Sequence, residues 1–130
     1  MGVGVIDAGI AIGWIQRGHR SEAKLDLLYR SCREGTLTLH VSTVTLAEIL
    51  IHTDEVARRS GIDPVSFLKA SGVRISEPDE AVARRVARLP TALADGFAAA
   101  TALELGARLH TTDATLVRQL KAVRLAVSHY

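Results

Sequence analysis

The sequence predicts an α/β fold built on a mostly parallel sheet that is covered on both faces. Three observations carry this. Short β-branched runs are separated by helical stretches, so successive strands are joined by crossovers. The first run, Val3 to Ile6, is apolar and flanked by glycines, which reads as a fully buried strand rather than a half-exposed one. The stretch from Phe97 to Leu105 is rich in alanine, a small-faced helix suited to close packing on a sheet. An all-helical arrangement is the weaker alternative.

The elements follow in order. After the first strand, Asp7-Ala8-Gly9 turns into an apolar helix reaching about Trp14, and Gly18 breaks the pattern. A second helix is expected from about Arg20 to Arg33, with Ala23, Leu27, Leu28 and Ser31 or Cys32 on its inner side, and Gly35 at its end. Leu37 to Val41 alternates as a strand. Ser42 or Thr43 then opens a helix whose apolar face is Leu46, Ile49, Leu50 and Val56. Asp63-Pro64 caps a short helix that stops at Gly72, and Val73 to Ile75 is a brief strand. Pro78-Asp79 starts another helix, with Val82, Val86 and Leu89 inward and Arg84, Arg85 and Arg88 outward. Pro90 closes it, and Asp95 stands near the start of the alanine-rich helix, which Gly106 ends. Ala107 to His110 is a strand, Thr111-Thr112-Asp113 a turn, Thr115 to Leu120 a helix, and Val123 to Val127 a final strand.

Length and composition agree with one domain over residues 1–130. Hydrophobic residues make up 48% and charged residues 23%, an ordinary globular balance that excludes a disordered chain. Aromatics at 4% leave the core to aliphatic side chains. A mean hydropathy of +0.18 points to apolar surface kept for a partner. The net charge of +2 and a pI near 9.0 are compatible with a polyanionic ligand. Cys32 stands alone, so no internal disulfide or cysteine-rich metal site forms, and a reducing compartment is expected. Asp7 interrupts the N-terminal apolar run and no basic residue precedes it, which argues against a signal peptide or membrane span. A cytoplasmic location is expected.

Four acids carry the chemistry. In an open parallel sheet, ligands bind beyond the carboxyl ends of the strands. Asp7 follows the first strand, Asp113 follows the strand ending near His110, Glu48 lies early in the helix after the second strand, and Asp95 opens its helix. Each has a simpler explanation alone. Asp7 and Asp113 suit helix N-caps, Asp95 a helix dipole, and Thr45-Leu46-Ala47-Glu48 a capping box. Asp63 and Asp79, each beside a proline, are caps and nothing more. Converging carboxylates repel, at roughly 4 kcal/mol for two charges ~4 Å apart at an effective dielectric of 20. A hard divalent cation removes that repulsion, and an oxygen-only donor set favours Mg²⁺ or Mn²⁺ over zinc. Such an ion activates water and neutralises charge on a phosphate, which is phosphodiester hydrolysis. No P-loop, dinucleotide-binding or nucleophile-elbow motif occurs.

These residues resemble the PIN-domain ribonucleases, specifically the VapC-type toxins of toxin–antitoxin pairs. Val5-Ile6-Asp7-Ala8 looks like that family's first strand and leading aspartate, and Thr45-Leu46-Ala47-Glu48-Ile49 like its helix-borne glutamate. Leu93-Ala94-Asp95, then the alanine run to Ala102, Gly106, and Thr111-Thr112-Asp113 resemble its C-terminal signature, the most specific of the three. The resemblance implies a three-layer α/β/α sandwich. It also implies Mg²⁺ or Mn²⁺ held by Asp7, Glu48, Asp95 and Asp113, with Thr111 supporting them from behind. Endonucleolytic cleavage of RNA, a homodimer, and a small antitoxin that inserts a segment over the site come with it. One departure is Gly9, where the family commonly carries Ser or Thr.

RNA approaching an acidic pocket needs flanking positive charge. Arg17, Arg20, Arg58, Arg59, Arg84, Arg85 and Arg88 are the candidates, each also explicable as a solvated helix face. Trp14 is expected to pack at an interface, Cys32 to be a small buried hydrophobe, and no two histidines take a ligand spacing. Two rival functions remain: a non-catalytic module binding RNA or protein, favoured by Gly9, and a phosphoacceptor receiver domain. The receiver ranks low because one acid, not a pair, ends the first strand and the second strand leads to Ser42.

Overall fold

The computed structural model describes residues 2–17 and 22–130. Five strands, β1 (Gly2–Ile6), β2 (Leu37–Ser42), β3 (Arg74–Ser76), β4 (Arg108–Thr111) and β5 (Val127–His129), form one sheet in the order β3-β2-β1-β4-β5. Every pairing is parallel. Helices α1 (Ala8–Arg17), α2 (Ala23–Arg33), α3 (Thr43–Ser60), α4 (Pro64–Ala70), α5 (Glu80–Val86), α6 (Leu93–Leu105) and α7 (Ala114–Gln119) supply the crossovers. The expected α/β sandwich with a parallel central sheet is what the chain adopts.

Register explains the two cores. Ile6 pairs with His110, and Gly4 and Val5 lie opposite Leu39 and His40. Residues of one parity therefore face one layer: Ile6, Leu39 and Val41 pack with Ile10, Trp14, Leu25, Leu28 and Ile49. The other parity, Val5 and Leu109, packs against Ala98, Ala99 and Ala102 of α6 and Leu116 of α7. The alanines let α6 lie close to the sheet, where a bulkier row would hold it off. At Gly4 an added Cβ would meet the His110 ring at 2.7 Å and Leu39 at 2.8 Å, so this central strand needs glycine where those side chains cross it.

Several expected details shift. The inner face of α2 is Leu25, Leu28 and Cys32, at i, i+3 and i+7, whereas Leu27 is 59% exposed and Ala23 is also outside. On α3 the inner face is Thr45, Leu46, Ile49 and Thr53, and Leu50 is left partly exposed. Thr53 manages burial by donating its hydroxyl to the Ile49 carbonyl at 2.7 Å. The last strand begins at Val127, not Val123. Leu125 N donates to the Val123 carbonyl in a tight turn, and pairing with β4 starts only where Leu109 N donates to Ala126 O. Val123 and Leu125 are apolar because they cover the second core, not because they are strand. Trp14 is buried between α1 and α2, its indole N–H donating to the Leu25 carbonyl at 3.0 Å and its ring edge-on to Tyr29. Among the described residues no helix is long and apolar enough to cross a membrane.

Thr45 is 2% exposed, and its hydroxyl finds no hydrogen-bond partner among the described residues. Replacing it with valine keeps the shape and removes a polar group buried without compensation. Thr45→Val is expected to raise the unfolding free energy by about 1 kcal/mol in urea titrations. An equal loss would mean that the hydroxyl is satisfied in solution.

Candidate active site

Because all strands are parallel, their carboxyl ends share one edge, and the helices that follow begin there. Asp7 is the first residue beyond β1. Its backbone N–H donates to the His110 carbonyl at 3.1 Å, extending the β1–β4 pairing by one residue. Its side chain is 6% exposed and serves two donors. Oδ1 accepts from Ile10 N at 3.2 Å, capping α1, and Oδ2 accepts from the Thr111 hydroxyl.

Thr111 ends β4 and is fully buried. Its Oγ1 also accepts the backbone N–H of Asp113 at 3.0 Å. That bond occupies a lone pair, so the single hydroxyl proton points to Asp7, and one threonine ties the turns after β1 and β4 together. Asp113 Oδ1 in turn accepts from Thr115 N at 2.8 Å and Leu116 N at 3.4 Å, capping α7. The capping explanation thus holds for Asp7 and Asp113, alongside their place in the pocket.

It fails for the other two acids. The cap of α3 is Ser42, which accepts from Val44 N at 3.3 Å, and the Thr45–Glu48 capping box does not form. Glu48 sits nearly two turns into α3; Asp95 is no N-cap either, since Ala92 holds that place, but it stands in the first turn of α6, where its charge meets the helix dipole as expected. Asp7, Glu48, Asp95 and Asp113 instead line one cleft of about 310 Å³, together with Gly9, Ile12, Gln16, His52 and Thr112. The four acids join none of the ion pairs seen among the described residues.

The charges feel one another. Burial pushes the Asp7 carboxyl up to about 6; hydrogen bonds from Thr111 and Ile10 oppose the rise, and the charges of Asp95 and Asp113 add to it. Asp95 is raised as well, first by burial and then by Asp113. The four acids offer oxygen donors, which suit Mg²⁺ or Mn²⁺, and His52 also lines the cleft. Among the described residues no three side chains of His, Cys, Asp or Glu stand close enough to enclose an ion unaided. That spacing fits a small cation that keeps several waters and touches only one or two carboxylates directly.

Sequence reading missed Gln16, His52 and Thr112. His52 had a usable signal, standing four residues after Glu48 and so on the same face of α3. The Gln16 amide donates to the His52 carbonyl at 3.0 Å and straps α1 to α3. At Gly9 the space is already taken: a Cβ there would collide with the Thr112 hydroxyl and lie 3.3 Å from Thr112 Cβ.

The arginines divide. Arg17 lines a cavity of about 270 Å³ that adjoins the acid cleft and shares Gly9, Ile12, Gln16 and Thr112 with it. Arg20 lies outside the described residues. Arg58 and Arg59 pair along α3 with Asp54 and Glu55, at 2.5 and 4.0 Å. Arg84, Arg85 and Arg88 surround a different groove, away from the acids.

A family model described as the PIN domain matches residues 4–121. The chain belongs to that family. No curated protein sequence matches it. Solved structures with a similar fold include VapBC2 of Rickettsia felis bound to a promoter DNA fragment, with 16% identity, a TM-score of 0.69 and 98% of each chain covered. A toxin–antitoxin complex from Klebsiella pneumoniae shares 20% identity, with a TM-score of 0.68 and 98% coverage of both chains. VapBC-1 of nontypeable Haemophilus influenzae shares 18%, with a TM-score of 0.68 and coverage of 98% and 97%. In this PIN domain, the acids of the cleft come from the segments after β1 and β4 and from α3 and α6.

Two outcomes are expected. A carboxyl raised in the folded state contributes stability below its unfolded value, 3.8, and loses it as pH rises through about 6. The metal-free protein should therefore weaken by about 3 kcal/mol across that window, and Asp7→Asn should flatten the loss in urea titrations run in EDTA from about pH 4 to pH 8. Gly9→Ser should cost about 1–3 kcal/mol through overpacking, and Thr112→Ala should relieve most of it in a double-mutant cycle. Additive effects would refute the proposed contact.

Proposed function

We propose that the protein is a Mg²⁺- or Mn²⁺-dependent endoribonuclease acting as the toxin of a toxin–antitoxin pair. The observation that carries the reading is the single cleft in which Asp7, Glu48, Asp95 and Asp113 converge without a cationic side chain to neutralise them. One or two of these acids would hold the ion directly and the others through its waters, and the ion would supply an activated water and offset charge on the phosphate. Thr111 fixes the Asp7 carboxylate by hydrogen bonding and places Asp113 through its backbone. Arg17, in the adjoining cavity, is the side chain placed to meet a neighbouring phosphate.

Partners follow by analogy with the similar folds, one of which is described as a toxin–antitoxin complex. A small antitoxin covering the cleft is proposed, and a homodimer in which exposed Leu50 and Ile51 of α3 and Leu93 at the start of α6 are buried. Cytoplasmic RNA is the proposed substrate. The alternative, a module that only binds RNA or protein, drew on Gly9. The Thr112 hydroxyl beside Gly9 supports the catalytic reading instead, since the cleft keeps a hydroxyl at that point.

The test is cleavage of single-stranded RNA by the purified protein. Activity should vanish in EDTA, return with Mn²⁺, and be absent in Asp7→Asn, whose circular dichroism should match the parent. Thr111→Val should lower activity or metal affinity roughly 10–100-fold. Undiminished cleavage in EDTA, or an Asp7→Asn variant as fast as the parent, ends the proposal.

A further inference from the structure

A second groove is remote from the acids. About 580 Å³ in volume, it is lined by Arg84, Arg85, Arg88, Leu89, Leu103, Val123 and Arg124. Leu103 lies in the last turn of α6, eight residues or ~12 Å along the helix from Asp95. Val123 and Arg124 precede β5. The groove therefore opens toward the amino ends of the strands, opposite the acid cleft.

Its chemistry is two-part. The floor is aliphatic: Leu89 and Val123 are partly buried against the second core, and Leu103 is half-buried beside them. The rim is four guanidinium groups. Arg84 pairs with Glu80 at 3.0 Å and Arg85 pairs with Glu104, while Arg88 and Arg124 have no carboxylate partner among the described residues. Both pairs are substantially exposed, and such pairs are worth about 0–1 kcal/mol, so an incoming carboxylate exchanges with them at little cost. Guanidinium forks favour carboxylates in bidentate geometry, and an aliphatic pocket inside a charged rim is how a protein interface seats an anchoring side chain.

RNA is the less suitable occupant. Among the described residues no aromatic ring lines the groove to stack a base. A strand seated at the acid cleft would also have to pass round the sheet to reach it.

We propose that this groove is a docking site for an acidic, leucine-bearing segment of a partner protein. A partner held there leaves the acid cleft open, so the site serves recruitment rather than inhibition. It does not depend on the nuclease reading.

The test uses a fluorescein-labelled peptide of alternating glutamate and leucine pairs, with an all-glutamate peptide, a lysine–leucine peptide and oligouridylate as controls. Anisotropy reports binding, and the arginine Nε–H resonances report its place. The glutamate–leucine peptide should bind and shift the groove resonances. Arg88→Glu and Arg124→Glu should each weaken it roughly tenfold, with thermal unfolding unchanged. Any of these results overturns the proposal: no binding; affinity insensitive to Arg124→Glu; equal affinity for the all-glutamate peptide, which leaves the floor without a role; or oligouridylate moving the same resonances, which makes the surface a nucleic-acid contact. Dimerisation that buries these arginines in place of the peptide also overturns it.

Discussion

The hydroxyl of Thr111 is the point on which the acid cleft turns. It lies buried where β1 and β4 end side by side, gives its proton to Asp7 and takes the backbone N–H of Asp113. Parallel pairing of β1 with β4 puts those three residues together; one hydroxyl then converts adjacency into orientation. Two acids more than a hundred residues apart are thereby referred to the same atom. The remaining two arrive on helices, Glu48 on α3, which begins where β2 ends, and Asp95 on α6, which follows α5 and leads into β4.

The arrangement runs against the stability of the metal-free fold. Burying Asp7 penalises its ionised form, and Asp95 and Asp113 add repulsion that two hydrogen bonds only partly offset. A fold optimised for stability alone would place a neutral side chain there. The strain is local, because the alanine face of α6 and the aliphatic rows of the sheet are packed without such conflict. A site so crowded with negative charge suits the metal ion proposed for it.

Much of this was legible in the residues. Alternating strands and helices read out the parallel sheet, and the acids after Ile6 and His110 marked the edge at which the four-acid cleft lies. What escaped depends on information that local pattern does not hold. Leu27 and Leu50 are apolar at helical spacing yet point outward, because the neighbour that decides which face is covered is distant in sequence. Val123 and Leu125 alternate like a strand but lie before it, since covering a core and joining a ladder demand the same residue types. Arg84, Arg85 and Arg88 carry the right charge but lie at the wrong end of the sheet. The absent side chain at Gly9 reads as a loss only until Thr112 is seen filling its place.

The strap from Gln16 to the carbonyl of His52 reaches beyond its single hydrogen bond. It joins the walls that carry Asp7 and Glu48, whose helices are already packed over much of their length. On this side the cleft is therefore a packed wall, α1 against α3, and Asp7 and Glu48 share that one backing.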